Sequence, residues 1–71
     1  MLQIFWADGK SPCHEVWIED RYAALQIAQA LKKSGKYKVV FVKLHLTDES
    51  KVEEGFEEDY NNYLKWRDGN Y

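Results

Sequence analysis

Cys13, His14 and Glu15 stand side by side in this 71-residue chain, and their types are the ones that most readily suggest catalysis or metal binding. A thiol beside an imidazole can act as a nucleophile, and thiolate, imidazole and carboxylate can together hold zinc. Residues 13–19 (CHEVWIE) alternate, however: His14, Val16 and Ile18 form one set and Cys13, Glu15, Trp17 and Glu19 the other. That period reads as a strand, whose neighbours project to opposite faces, so Cys13 and His14 cannot readily share a site. His45 is the one other imidazole, no second cysteine exists, and no familiar zinc-ligand spacing is present. Cys13 with His45 as nucleophile and base is the remaining catalytic arrangement, and no activating motif accompanies it. The expectation is therefore a protein with no catalytic residues, no metal and no cofactor. On this reading Cys13 is half-buried and both histidines are surface or rim residues.

Two charge clusters invite binding chemistry. Lys32, Lys33, Lys36 and Lys38 surround Gly35, with Tyr37 and Phe41 near them and Phe5 and Trp17 across the expected sheet. Lysines interleaved with aromatics suit single-stranded nucleic acid, which is held by phosphate pairing and base stacking. The aromatic and glycine signature of an RNA-recognition strand is missing, and the formal net charge of −2 is wrong for a chain living on phosphate. The simpler role of these lysines is to complement the negative end of a helix dipole. The second cluster is acidic: Asp48, Glu49, Glu53, Glu54, Glu57, Glu58 and Asp59 place seven acids within twelve residues. The D-x-D-x-D-G order of a calcium loop is absent. A fixed row of carboxylates with aromatics between them can instead dock on a basic protein groove, and it can equally be the solvated face of an amphipathic helix. Glu53, Glu54, Glu57, Glu58 and Asp59 are the expected partner-binding residues. The lysine cluster is the alternative, nucleic-acid-binding site.

The elements that must position these groups are organised around residues 20–46. Asp20 is suited to N-cap a helix, and Ala24, Ile27, Ala28 and Leu31 make its apolar stripe. Lys32 and Lys33 complement its negative end, and Gly35 stops it. The chain then changes period: Val40, Val42, Leu44 and Leu46 form a wholly apolar set expected to lie under that stripe. Before the helix, residues 2–6 (LQIFW) read as a central strand, and Asp8-Gly9 as the turn into the strand at 13–19. The resulting β-β-α-β order predicts an α+β fold with a three-stranded, mainly antiparallel sheet in the order 2-1-3. Helix 20–34 is expected on one face, with an additional helix over 50–67. For that second helix, Ser50 and Glu53 form a capping box, and Val52, Phe56, Tyr60, Tyr63 and Leu64 make the stripe. Gly55 weakens its start and Gly69 ends it. The stripe is expected to cover the sheet face carrying Phe5, Trp17 and Phe41, which a second copy of the chain in a homodimer, or a partner, would otherwise cover.

Length and composition set the frame. The chain is expected to be one domain, 1–71, with a ββαβ body over 1–46 and an acidic amphipathic segment over 47–71. Residues 1–46 carry seven Lys/Arg against four Asp/Glu, and residues 47–71 three against eight, so a basic body precedes an acidic segment. The lone cysteine is consistent with a reducing cytoplasm, residues 1–10 do not read as a signal peptide, and no apolar run approaches membrane-spanning length. In size and β-β-α-β order, residues 1–46 are similar to small phage accessory proteins, including some anti-CRISPR inhibitors. That resemblance is one of layout and carries no motif; it implies an accessory or inhibitor role. The function expected is a non-enzymatic protein–protein interaction module that presents an acidic, aromatic-containing surface to a basic partner.

Overall fold

The computed structural model describes residues 1–10 and 12–67. Strand β1 (Leu2–Ala7) is followed by β2 (His14–Ile18), helix α1 (Arg21–Lys33), β3 (Val39–His45), β4 (Ser50–Val52) and helix α2 (Glu57–Arg67). The fold is α+β, and its sheet has the order β2-β1-β3-β4 with every neighbouring pair antiparallel. The expected 2-1-3 arrangement is present, and β4 adds a fourth strand.

The hairpin between β1 and β2 is shaped by local chemistry. Asp8 Oδ1 accepts from the Lys10 amide (2.8 Å), and Gly9 takes φ +87°, a left-handed conformation that side chains disfavour. The Lys38 side chain lies across Gly9, so a Cβ there would fall 2.9 Å from Lys38 Cδ. In α1, Asp20 is the N-cap and accepts from the amides of Tyr22 (2.9 Å) and Ala23 (3.4 Å). Ser34 closes the other end, followed by Gly35 at φ +72°.

The strand register decides the two faces. Leu2, Ile4 and Trp6 align with Leu44, Val42 and Val40 of β3 and with Ile18, Val16 and His14 of β2. This face packs under α1 through Ala24 and Ala28, whose small side chains bring the helix close to the sheet. Gln3 and Phe5 align with Lys43 and Phe41 on the other face, where α2 packs. There Phe5 stacks on Phe41 (centroids 5.1 Å apart), Tyr63 meets both rings, and Tyr60 meets Phe41 edge-on. β3 is thus buried on both faces from Val39 to Val42. Burying a side chain such as Ile4, Val40 or Val42 contributes about 1.5–3 kcal/mol, and all three are essentially inaccessible.

Several expectations are corrected. The second helix begins at Glu57, not at residue 50, and no capping box forms, because Ser50 to Val52 pairs with Lys43 to His45. The Leu46 amide bonds the Glu49 carbonyl to close that hairpin, and the Glu53 amide continues it to the Val42 carbonyl (2.8 Å). Gly55 then turns at φ +94°, outside helical space. Phe56 precedes the helix and is buried in the core. Ile27 and Leu46 are exposed (42% and 46%) where core positions were expected, while Val40 and Val42 are core and Leu31 and Leu44 are partly buried against it. Trp17 shares the face of Phe5 and Phe41, but the shorter α2 does not cover it and it remains 48% exposed. Gly69, expected to end the second helix, lies outside the described residues.

Candidate functional site

The acidic residues do not form one outward row. Glu53 is 7% exposed and accepts from Arg21 through both carboxylate oxygens, from Nε (3.1 and 3.2 Å) and Nη2 (2.8 Å). This pair ties the start of α1 to the end of β4, and hydrogen bonding to Glu53 raises the Arg21 pKa. The expectation that Glu53 faces solvent is therefore wrong. It follows a strand, not a helix turn, and the first arginine of α1 meets it. Asp59 is half-buried, and its Oδ2 accepts from the amide of Val40 (2.9 Å). Val40 lies on β3 beyond the reach of β4, so this carboxylate takes the place of a missing strand partner. Glu57 Oε1 accepts from the amides of Gly55 (2.6 Å) and Phe56 (3.0 Å). The Glu57 backbone amide first, and then those of Gly55 and Phe56, lower its pKa from the ordinary value of 4.5.

What remains turned outward is Glu54, Glu57 and Glu58, with Asp48 and Glu49 exposed in the β3–β4 turn. None of these five forms an ion pair among the described residues. Helix α2 runs from Asp59 at β3 to Tyr63 over β1, so its acidic start lies on the β3 side of the sheet, away from β2.

The lysine cluster is likewise divided. Lys32 Nζ reaches the Gly55 carbonyl (3.4 Å) and lies 5.4 Å from the Phe56 ring centroid. Lys38 lies across Gly9, with its backbone amide bonded to the Ala7 carbonyl (2.8 Å). All four lysines are exposed. Of the aromatics that were to stack bases, Phe5 and Phe41 lie beneath Tyr63 and Tyr60 and Tyr37 packs against the core, while Trp17 remains 48% exposed.

Cys13 is half-exposed, and burial of its thiol pushes the pKa up, away from the reactive thiolate. No hydrogen bond joins it to an imidazole among the described residues. His14 stacks on Trp6 (5.5 Å). His45 lies against Trp17 (4.8 Å) and donates from Nε2 to Gln3 Oε1 (3.0 Å). Gln3 in turn donates to Glu15. Among the described residues, no group of three His, Cys, Asp or Glu side chains is placed to hold a metal ion. No helix of the described residues is long and apolar enough to cross a membrane.

Beside α2 lies a groove of about 150 Å³, floored by Phe5, Phe41, Tyr60 and Tyr63 and bordered by Lys43 and Arg67. Both cations are already engaged with aromatic rings, Lys43 over Tyr60 (5.4 Å) and Arg67 over Tyr63 (5.9 Å). Comparison with protein-family models, with curated proteins and with solved structures finds no match. The Arg21–Glu53 pair and the Asp59–Val40 bond were not foreseen from the sequence. The signal for the first was Gly55, which is unfavourable inside a helix and easily takes the left-handed turn that here separates Glu53 from α2.

Proposed function

We propose that this chain is a small non-enzymatic protein-interaction module that presents a fixed acidic surface to a basic partner. One observation carries the reading. The start of α2 is fastened to the sheet by Asp59, Tyr60 and Tyr63 and carries Glu57 and Glu58 exposed, with Glu54 exposed in the turn before it, and none of the three forms an ion pair among the described residues. The backbone that carries these carboxylates is already fixed, and their charge steers a basic surface toward them. The raised Cys13 pKa supports the non-enzymatic part of the reading, and the lone cysteine supports a cytoplasmic setting. Occupation of a basic groove by this surface fits the accessory or inhibitor role that the layout of residues 1–46 implies. The nucleic-acid alternative keeps its four exposed lysines but loses ground because Phe5 and Phe41 are covered by Tyr63 and Tyr60.

The test is the double reversal Glu54→Lys with Glu58→Lys, which spares Glu53, Glu57 and Asp59. Melting should match wild type, and association with the partner recovered on wild-type bait should slow by about ten-fold at low salt. Undiminished association would place the contact elsewhere on the molecule.

A further inference from the structure

The two edges of the sheet are protected unequally. β4 is three residues long and carries a lysine, Lys51, in its middle. β2 is five residues long, pairs with β1 alone, and every residue of it except Ile18 is exposed. It contains no proline or lysine, although such residues commonly keep an open edge from pairing. Apolar groups flank this edge on both faces. Trp17 is 48% exposed on the α2 face, and Val16 is 37% exposed on the α1 face. Arg21 and Lys32 of α1 reach Glu53 and Gly55 on the β4 side. At 3.6 residues per turn Ile27 lies about 120–140° around the helix from both, on the flank toward β2, and it is 42% exposed. Backbone donors and acceptors, Val16 and Ile27 above, and below them Trp17, half-exposed with one side against His45, therefore form one open strip.

We infer that this strip is a self-association site, where β2 pairs antiparallel with β2 of a second copy about a two-fold axis through Val16. The occupant follows from the pattern of the strand itself. A two-fold axis perpendicular to a sheet must pass opposite a residue that faces its own copy, because only then do like faces stay together. Centring on Glu15 sets two carboxylates opposite each other. Centring on Trp17 sets Glu15 against Glu19 and leaves His14 beyond the paired segment. Centring on Val16 pairs the whole strand with no like charges opposed: His14 with Ile18, Glu15 with Trp17, and Val16 with itself. In that register the Trp17 indole N–H, which can only donate, faces the second copy's Glu15 carboxylate. The two sheets then join as β4-β3-β1-β2-β2-β1-β3-β4, and the acidic start of α2 is displayed twice. This inference uses none of the acidic residues on α2 and stands apart from the reading built on them.

The test is analytical ultracentrifugation of the full chain over a concentration series reaching about 1 mM, which covers a weak, small interface. Wild type should rise from 8.4 kDa toward twice that mass, and Val16→Lys should stay monomeric while melting like wild type. Cysteine cross-linking in the Cys13→Ser background fixes the register and guards against a misfolded Val16→Lys. Directly opposed residues lie about 4.5–5.5 Å apart at Cα, within disulfide reach. Val16→Cys should therefore oxidise to a covalent dimer, and Glu15→Cys should not. A wild-type monomer at the highest concentration overturns the inference and leaves the edge to another protein's strand or to none. Cross-linking of Glu15→Cys equal to that of Val16→Cys overturns it too.

Discussion

Asp59→Ala should cost far more stability than a half-exposed acid on a helix surface ordinarily would. The Val40 amide is buried with its residue at 1% exposure, and Asp59 Oδ2 at 2.9 Å is its acceptor on the side of β3 that β4 does not reach. Removing the carboxylate leaves that N–H without a partner, at a cost of about 1–3 kcal/mol. A chain of this length has on the order of 4–10 kcal/mol in total. A loss near 2 kcal/mol should lower Tm by roughly 8–16 °C, given about 4–8 °C per kcal/mol for domains of this size. Asp59→Asn keeps a carbonyl acceptor in the same place and should retain at least half of the stability lost in Asp59→Ala. Urea denaturation followed by tryptophan fluorescence measures both variants, and amide exchange at Val40 reports the bond itself. If Asp59→Ala unfolds within about 0.5 kcal/mol of wild type, the range of ordinary surface substitutions, the anchoring of α2 by this carboxylate is wrong.

Other outcomes follow from the same geometry. Val42→Asp should abolish the cooperative melt seen by circular dichroism, because an unpaired charge at a fully inaccessible position costs several kcal/mol against that small total. Glu57 has a folded pKa below its ordinary 4.5, so its stabilising effect is complete above that value and is lost as pH falls through the depressed folded pKa. Glu57→Gln should accordingly lower the melt in the neutral region, flatten the acid limb of the stability–pH curve and converge with wild type at low pH, as read by thermal melts across pH. Cys13→Ser should keep the wild-type melt and partner binding, since the thiol is half-exposed and bonds to no side chain among the described residues.

Helix α1 and the first three strands were legible because their signals are local. Asp20, the alanine-rich run and Gly35 mark one helix, and the alternation from Tyr37 onward marks one strand. The segment after Leu46 was not legible, because two periods overlap there. Val52, Phe56 and Tyr60 are spaced like a helix stripe, yet Ser50 and Val52 also alternate as a strand must. Backbone pairing to Lys43 and His45 decides for the strand, and the left-handed Gly55 separates it from α2. Ile27 was misplaced for a different reason. The Arg21–Glu53 pair and Lys32 over Phe56 draw α1 toward β4, so Leu25 turns inward and Ile27 outward. Such rotations depend on contacts 23 to 32 residues apart, which no local pattern encodes. The Arg21–Glu53 pair, the Asp59 bond to Val40 and the local Glu57 bonds divided the acidic cluster, whose members look equivalent in the sequence and hold different posts in the fold.

The proposed steering of a basic partner by the acidic surface around the start of α2 has a direct test. The direct measurement is the association rate of that partner with wild type and with the Glu54→Lys/Glu58→Lys double variant, each taken across a series of salt concentrations. The account predicts a wild-type rate that falls as salt rises, and a variant rate about ten-fold lower at low salt with that dependence flattened. Equal rates with the same salt slope, in a variant that melts like wild type, would contradict it.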